Sequence, residues 1–259
     1  MRIRSIVLSF FLILFSSVCA FAGELTVAVA ANVQYTFEEL QAAFEKETGI
    51  HIKPVIGSSG KFTVQIENGA PFDVFLSADM DYPRTLETEG LTYNAPKTYA
   101  YGTLVIWTMN DVDLSNGIDV FGDSNVRKIA IASPKTAPYG RQAVNALKHY
   151  NLYAKVHHKL VYGESIAQTN QFITTRAVDV GITAKSIVLA PNMKDKGEWI
   201  EIEKEAYEPI AQGVVILKHA QAANLDDARK FFDFLFSDQA QEIFEKYGYI
   251  MPRQEVSDE

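Results

Sequence analysis

Apolar runs short enough for buried strands alternate with helical periodicity through most of this 259-residue chain. The run LTVAVAA at 25–31 is followed by a helical pattern that ends at Gly49, and the run HIKPVI then begins at 51. After a second, shorter helical pattern comes a third strand-like run, FDVFLSA at 72–78. Because strands that alternate with helices build parallel sheets, the sequence predicts an α/β fold whose loops lie at the carboxyl ends of the strands.

The same order starts again in the middle of the chain. KIAIAS at 128–133 and KLVYGES at 159–165 each precede a helical pattern, and VDVGITA at 178–184 is a further strand. Two extended runs, YGTLVIWTM at 101–109 and QGVVILK at 212–218, bracket this middle third. We expect both runs to cross between two lobes.

Two crossing strands divide the chain into two α/β domains. Residues 23–103 together with 216–259 are predicted to form lobe 1, and residues 104–215 are predicted to form lobe 2. About 237 residues remain after the N-terminal segment, which is ample for two domains. A ligand would bind in the cleft between the lobes.

The N-terminal segment predicts export. Arg2 and Arg4 precede an apolar run that is too short to span a membrane, and the small-residue signal AFA follows at 20–22. We expect a signal peptide over 1–22, cleavage after Ala22 and a periplasmic product. Cys19, the only cysteine, would be lost with the signal; its use as a lipidation site is a weaker alternative.

The charge of the chain restricts its partners. The formal net charge is −8, and removal of two arginines with residues 1–22 makes it −10. An acidic surface of this kind argues against nucleic acid and anionic membranes as partners, and we expect a monomer. Any anion site must therefore act through aimed hydrogen-bond donors rather than through a positive field.

Four loops offer such donors. In PVIGSSGKF at 54–62 two serines lie between two glycines, directly before an amphipathic stretch. Asn32, Ser59, Tyr139 and Ile166 all lie where a predicted strand ends and a helix begins. Each offers a backbone N–H, and the first three add a side-chain donor. One such position is usually an ordinary helix cap, but four that converge would form an uncharged site for a tetrahedral oxyanion.

Enzyme signatures fail on inspection. A phosphate-binding GxxxxGK[ST] loop would need glycine at Val55, and a GxSxG nucleophile motif would need glycine at Lys61. The five histidines show no metal-ligand spacing, so we predict no cation site, no cofactor and no enzyme activity. An exported hydrolase that uses Ser58 or Ser59 remains a less favoured alternative.

Several segments together resemble a known family, the periplasmic molybdate-binding proteins of ABC importers. The resemblance runs in order over most of the chain and is most specific between residues 65 and 73. The segments that carry it are LTVAVAANV, GSSGKFTVQIENGAPFDVFLSAD, SPKTAPYGRQA, GESIAQTNQFI, VDVGIT and AQEIFEKYGY. It implies the two-lobed type II binding-protein fold, molybdate or tungstate as ligand, and a membrane permease as partner.

The resemblance also implies roles for the loop residues. It assigns ligand contacts to Asn32 and Ser59, and backbone N–H contacts to Tyr139 and Ile166. Some members of the family use a tyrosine hydroxyl where this chain has Ala184. We expect that Tyr139 or the Asn32 amide replaces this donor, or else that the ligand differs.

The chemistry of molybdate agrees with such a site. Molybdate is a fully deprotonated dianion at neutral pH, so it needs donors only, whereas protonated phosphate also needs an acceptor. None of the four positions carries an acid. A type II receptor for another small anion, such as sulfate, a phosphonate or an organic acid, remains the alternative because sequence does not measure the size of a cavity.

Overall fold

The structure, a computed structural model, describes residues 24–252. The predicted signal peptide, with its cleavage site after Ala22 and with Cys19, lies outside the described residues. Within residues 24–252 the chain forms two five-stranded mixed sheets, each covered by helices, which confirms the predicted α/β class with two lobes. No helix in this part of the chain is long and apolar enough to cross a membrane.

The elements of residues 24–252 follow one another in strand–helix order. The strands are β1 (Leu25–Ala30), β2 (Ile52–Gly57), β3 (Val74–Ser77), β4 (Lys97–Gly102), β5 (Leu104–Thr108), β6 (Ile129–Ala132), β7 (Leu160–Gly163), β8 (Val180–Ala184), β9 (Glu198–Glu201) and β10 (Ile210–Ile216). The helices are α1 (Gln34–Thr48), α2 (Ser59–Glu67), α3 (Asp81–Thr88), α4 (Pro138–His149), α5 (Tyr153–Val156), α6 (Ile166–Thr174), α7 (Lys185–Val188), α8 (Leu225–Phe234) and α9 (Asp238–Lys246). Short 3₁₀ turns, among them Ala31–Val33, connect some of these elements.

The first sheet has the strand order β2-β1-β3-β10-β4. Its first three strands are parallel, with Ala30 opposite Gly57 at the ends of β1 and β2, and Val29 opposite Leu76. Because parallel strands end at the same edge of a sheet, the loops after β1, β2 and β3 lie next to one another.

The second sheet repeats this arrangement with the order β7-β6-β8-β5-β9. Strands β6 and β7 are parallel, and Ala132 lies opposite Gly163 where they end. The loops that lead into α4 and α6 therefore share one edge of this sheet. Strand β5 runs antiparallel to β8 and β9.

The chain crosses between the sheets twice. The first passage is short, since only Thr103 separates β4 in the first sheet from β5 in the second. The second passage lies in residues 202–209, between β9 and β10. Strand β10 pairs antiparallel with both β3 and β4. The predicted boundary is thereby corrected: residues 210–215 belong to the first sheet, and the run at 212–218 follows the crossing instead of forming it.

Each sheet has its own buried core. In the first lobe the ring of Phe231 on α8 packs edge-on against two rings of α1, with centroids 5.2 Å from Phe44 and 5.9 Å from Phe37. In the second lobe Trp107 of β5 is fully buried and its ring N–H donates to the carbonyl of Lys196 at 2.8 Å. The cores meet at the cleft, where Ala30, Ala31 and Ala78 of lobe 1 pack into the cluster of lobe 2.

Candidate functional site

A small cavity lies where the carboxyl ends of the two sheets face each other. All four residues selected from the sequence, Asn32, Ser59, Tyr139 and Ile166, line it. None of its lining residues has a charged side chain. The complete lining is Ala30, Ala31, Asn32, Gly57, Ser58, Ser59, Ala78, Ala137, Pro138, Tyr139 and Ile166.

Lobe 1 contributes two serine hydroxyls from the turn between β2 and α2. Ser59 Oγ accepts a hydrogen bond from the Ala78 N–H at 2.9 Å, which orients the hydroxyl and leaves its own hydrogen free to donate. Ser58 is 3 % exposed, and its Oγ has no hydrogen-bond partner among residues 24–252. A buried hydroxyl without a partner is costly, so Ser58 is a second donor prepared for a ligand.

Sequence reasoning selected Ser59 and missed Ser58 as a donor. Both serines are visible in the GSSG motif, but the sequence does not show which hydroxyl is already bonded within the protein. The structure separates them by position, because Ser58 has extended backbone before α2 and Ser59 is the first residue of that helix.

Lobe 2 contributes the N-termini of two helices. Tyr139 follows Pro138 at the start of α4, and Ile166 is the first residue of α6. The first N–H groups of a helix have no acceptor within the helix, and the partial positive charge there favours an anion. Ser165 caps α6 by accepting from the Gln168 N–H at 3.5 Å, and Ile166 lines the cavity.

The side chain of Asn32 is committed to the protein and not to the cavity. Its Nδ2 donates to Gln212 Oε1 at 2.8 Å and to the Tyr249 hydroxyl at 3.1 Å. The carbonyl of Asn32 accepts from Ser186 Oγ at 2.7 Å and from the Tyr249 hydroxyl at 3.0 Å. The expectation that the Asn32 amide replaces the missing tyrosine donor is therefore wrong, and Asn32 faces the cavity with its backbone.

The hydroxyl of Tyr139 belongs to the same network, as an acceptor. It accepts from Gln212 Nε2 at 2.9 Å, and burial raises its pKa well above the usual value. Ala184, at the position of the family's tyrosine, is fully buried and ends β8. The Asn32 amide is therefore engaged within the protein, whereas the Tyr139 hydroxyl accepts one bond and keeps its own hydrogen, so its role as the replacement donor stays a prediction. The hydroxyl of Ser58 lines the cavity without a partner among residues 24–252.

Contacts across the cleft close the two lobes over the cavity. The Gly60 N–H donates to the Thr136 carbonyl at 2.9 Å, and Lys61 pairs with Glu164 at 2.6 Å. A Cβ atom at Gly60 would lie 3.0 Å from the Thr136 backbone, so the close approach of the lobes requires glycine.

A charge pair lies farther along the same cleft. Arg141 of α4 contacts Asp79, which follows β3 in lobe 1. Burial raises the pKa of Asp79 above its usual value, while the Arg141 guanidinium acts in the opposite direction. Lys61 and Arg141 are thus each paired with an acid of the opposite lobe.

The arrangement suits the binding of an anion. Helix starts from both lobes and two serines of lobe 1 border one uncharged space, and helix N-termini and hydroxyls are the kind of donors that a deprotonated oxyanion needs. No histidine or carboxylate lines the cavity to activate Ser58 or Ser59 as a nucleophile. Among residues 24–252 no group of three metal-binding side chains occurs.

Known proteins resemble this chain over most of its length. The family described as bacterial extracellular solute-binding protein matches residues 25–250. The molybdate-binding protein ModA of Azotobacter vinelandii is 38 % identical over 229 residues, which cover 88 % of this chain and 90 % of that protein. ModA of Rhodobacter capsulatus is 38 % identical over 234 residues, covering 89 % and 90 %.

The similarity extends to a solved structure. The periplasmic molybdate-binding protein of Azotobacter vinelandii superposes on this chain with a TM-score of 0.83 at 34 % identity. The superposition covers 89 % of this chain and all of that protein. The two-lobed fold described above is therefore the periplasmic binding-protein fold of type II that the sequence predicted.

Proposed function

Since this chain belongs to the bacterial extracellular solute-binding proteins, we propose that it captures molybdate or tungstate and delivers it to an ABC importer. It is a solute-binding protein and not an enzyme, and the metal enters as cargo within the oxyanion. Among the alternatives predicted from the sequence, the relatives favour molybdate over other small anions and over a serine hydrolase.

One observation supports this proposal above the others. An uncharged cavity lies between the lobes, and it is lined by donors from both of them. Ser58 and Ser59 of lobe 1 supply hydroxyls, and Asn32, Tyr139 and Ile166 supply backbone N–H groups. An anion that accepts from all five would satisfy the orphan Ser58 hydroxyl without introducing a buried countercharge.

The partner and the compartment follow from the same proposal. A membrane permease would receive the anion from the closed protein in the periplasm, after removal of residues 1–22. We propose a monomer with no nucleic-acid partner, in keeping with the net charge of −8 of the full chain.

Isothermal titration of the protein with molybdate, tungstate, sulfate and phosphate tests the proposed ligand. We expect molybdate and tungstate to bind more tightly than sulfate, and phosphate to bind least because its proton needs an acceptor that the cavity lacks. Binding of sulfate or phosphate without molybdate would contradict the specificity. Labelling of Ser58 or Ser59 by a serine-reactive phosphonate would support the hydrolase alternative instead.

Ligand should also favour the closed arrangement. An anion satisfies the donors of both lobes only when they are closed, so binding shifts the population toward this state. At a thousandfold excess of molybdate over Kd, the free energy of unfolding should rise by about 4 kcal/mol. Small-angle scattering should show a more compact protein with molybdate; identical curves at proven saturation would contradict closure.

A further inference from the structure

A buried polar network behind the cavity joins the two lobes through one side chain, Gln212 of β10. Gln212 is fully buried, and every polar atom of its amide is engaged. Its Oε1 accepts from Asn32 Nδ2 at 2.8 Å and from the Tyr99 hydroxyl at 3.2 Å. Its Nε2 donates to the hydroxyl of Tyr139 in lobe 2 at 2.9 Å.

Local backbone structure aims this side chain. The pairing of β10 with β4 shifts register between Gln212 and Gly213, and such irregularities of a strand redirect its side chains. Gly102, where β4 ends just before the crossing, leaves the space that the bond needs. A Cβ atom there would collide with the Tyr139 hydroxyl and with Gln212 Nε2.

Two of the three partners of Gln212 lie on segments that line the cavity. Asn32 is part of the turn after β1, and Tyr139 is the second residue of α4. Their side chains bond to Gln212 while their backbones line the cavity. One amide thus connects a donor of lobe 1 with a donor of lobe 2.

We propose that Gln212 is a positioning residue that holds the donor segments of the two lobes at the spacing one oxyanion requires. This role rests on the proposed function, since it concerns the same cavity. The amide suits the task because its two ends differ: Asn32 Nδ2 is a donor only, so it must face the oxygen of Gln212, and the nitrogen must then face Tyr139. An apolar side chain of equal length would keep the packing but would not hold the donor segments of the two lobes at a fixed spacing.

Isothermal titration with molybdate on the full chain compares two variants that remove the bond between the lobes. Gln212→Met keeps the length of the side chain, and Tyr139→Phe keeps the backbone N–H and the ring while removing only the hydroxyl. We expect each variant to lower molybdate affinity about 3- to 30-fold. The combined variant should lose little more than Gln212→Met alone, since both changes break one connection.

Two control variants separate positioning from stability. Thr108→Val removes a buried hydroxyl that donates to the Asp179 carbonyl at 2.6 Å in lobe 2, and it should lower Tm without changing affinity. Tyr99→Phe removes a bond to Gln212 from within lobe 1, so its affinity loss should be clearly smaller than that of Tyr139→Phe.

The outcomes distinguish this role from the proposed function. Absence of molybdate binding in the unmodified protein overturns the proposed function and the role of Gln212 with it. If the unmodified protein binds molybdate and Tyr139→Phe binds it with the same affinity, the role of Gln212 is overturned and the proposed function is not. This outcome decides the matter even if Gln212→Met fails to fold. Equal losses in Tyr99→Phe and Tyr139→Phe also overturn it, because the bond between the lobes would then have no special effect.

Discussion

The two lobes are built alike but present different chemistry to the cavity. In each lobe parallel strands end at one edge and helices begin there, with α2 in lobe 1 and α4 and α6 in lobe 2. Lobe 1 lines the cavity with the side chains of Ser58 and Ser59 besides the turn at Asn32, whereas lobe 2 lines it with the helix starts at Tyr139 and Ile166. Under the proposed function, we expect binding by lobe 1 to depend mainly on side-chain identity, and binding by lobe 2 to depend on the position of two helices.

The largest expected effect tests this contrast directly. Replacing both Ser58 and Ser59 by alanine removes two donors to a charged group, so molybdate affinity should fall about 100-fold or more. Ile166→Val keeps the backbone N–H, so its affinity should stay within about twofold of the unmodified protein. Isothermal titration measures both.

Stability must be followed alongside affinity for these variants. Ser59→Ala also leaves the Ala78 N–H unpaired, so a decrease in Tm is expected there and not for Ser58→Ala, whose hydroxyl has no partner among residues 24–252. A Ser58/Ser59 double variant with unchanged affinity, or an Ile166→Val variant with a comparable loss, would show that the lobes do not differ in this way.

A smaller effect is expected from the two glycines that follow site residues at helix starts. A Cβ at Gly60 would lie 2.6 Å from the Tyr82 hydroxyl, the movable end of a side chain of its own lobe, and 3.0 Å from the Thr136 backbone of the opposite lobe. A Cβ at Gly140 would instead collide with the Ala132 carbonyl of its own lobe. Gly60→Ala should weaken molybdate binding about tenfold by holding the lobes apart, at nearly unchanged Tm without ligand. Gly140→Ala should instead lower Tm of the ligand-free protein.

Thermal unfolding and titration of both glycine variants measure this difference. The contrast fails if Gly60→Ala destabilises the ligand-free protein as much as Gly140→Ala does. It also fails if Gly60→Ala binds molybdate normally, since the contact between Gly60 and Thr136 would then not limit closure.

The smallest effect concerns the charge pair at the rim. Burial raises the pKa of Asp79 in the folded protein above its unfolded value. A carboxyl with a raised pKa contributes stability below its unfolded pKa, near 3.9, and loses that contribution as pH rises through its folded pKa. Asp79→Asn has no such dependence, so Tm of the unmodified protein should decrease relative to Asp79→Asn between about pH 3 and pH 7.

A pH series of unfolding curves checks the sign of this effect. Arg141→Gln serves as the matched change in lobe 2, since it removes the cation and leaves the buried carboxyl. It should raise the pKa of Asp79 further and enlarge the loss of stability with rising pH. A Tm difference between the unmodified protein and Asp79→Asn that is independent of pH would contradict the assignment.

Local patterns in the sequence were enough to predict the fold class and the four loops. Strand runs, helical periodicity and helix starts are signals within about ten residues, and the cavity brings Asn32, Ser59, Tyr139 and Ile166 together as those signals predicted. The hydrogen-bond partners of individual side chains could not be predicted in this way. The Asn32 amide is bound by Gln212 and Tyr249, which lie 180 and 217 positions away.

The boundary between the lobes likewise could not be predicted from local sequence signals. QGVVILK has the apolar composition of a buried strand, but composition does not say which sheet a strand joins or in which direction. The antiparallel pairing of β10 with β3 and β4 depends on contacts between distant parts of the chain. The sequence therefore predicts the second crossing at 212–218, whereas it lies at 202–209 in the structure.

The bond between Tyr249 and Asn32 has a consequence for the time at which binding ability arises. Asn32 and Tyr249 lie 217 positions apart, yet the Tyr249 hydroxyl bonds both the amide and the carbonyl of Asn32. A chain whose synthesis has not yet reached Tyr249 holds every proposed donor without this support. Under the proposed function, we expect such a chain to hold the anion less tightly than one that includes Tyr249.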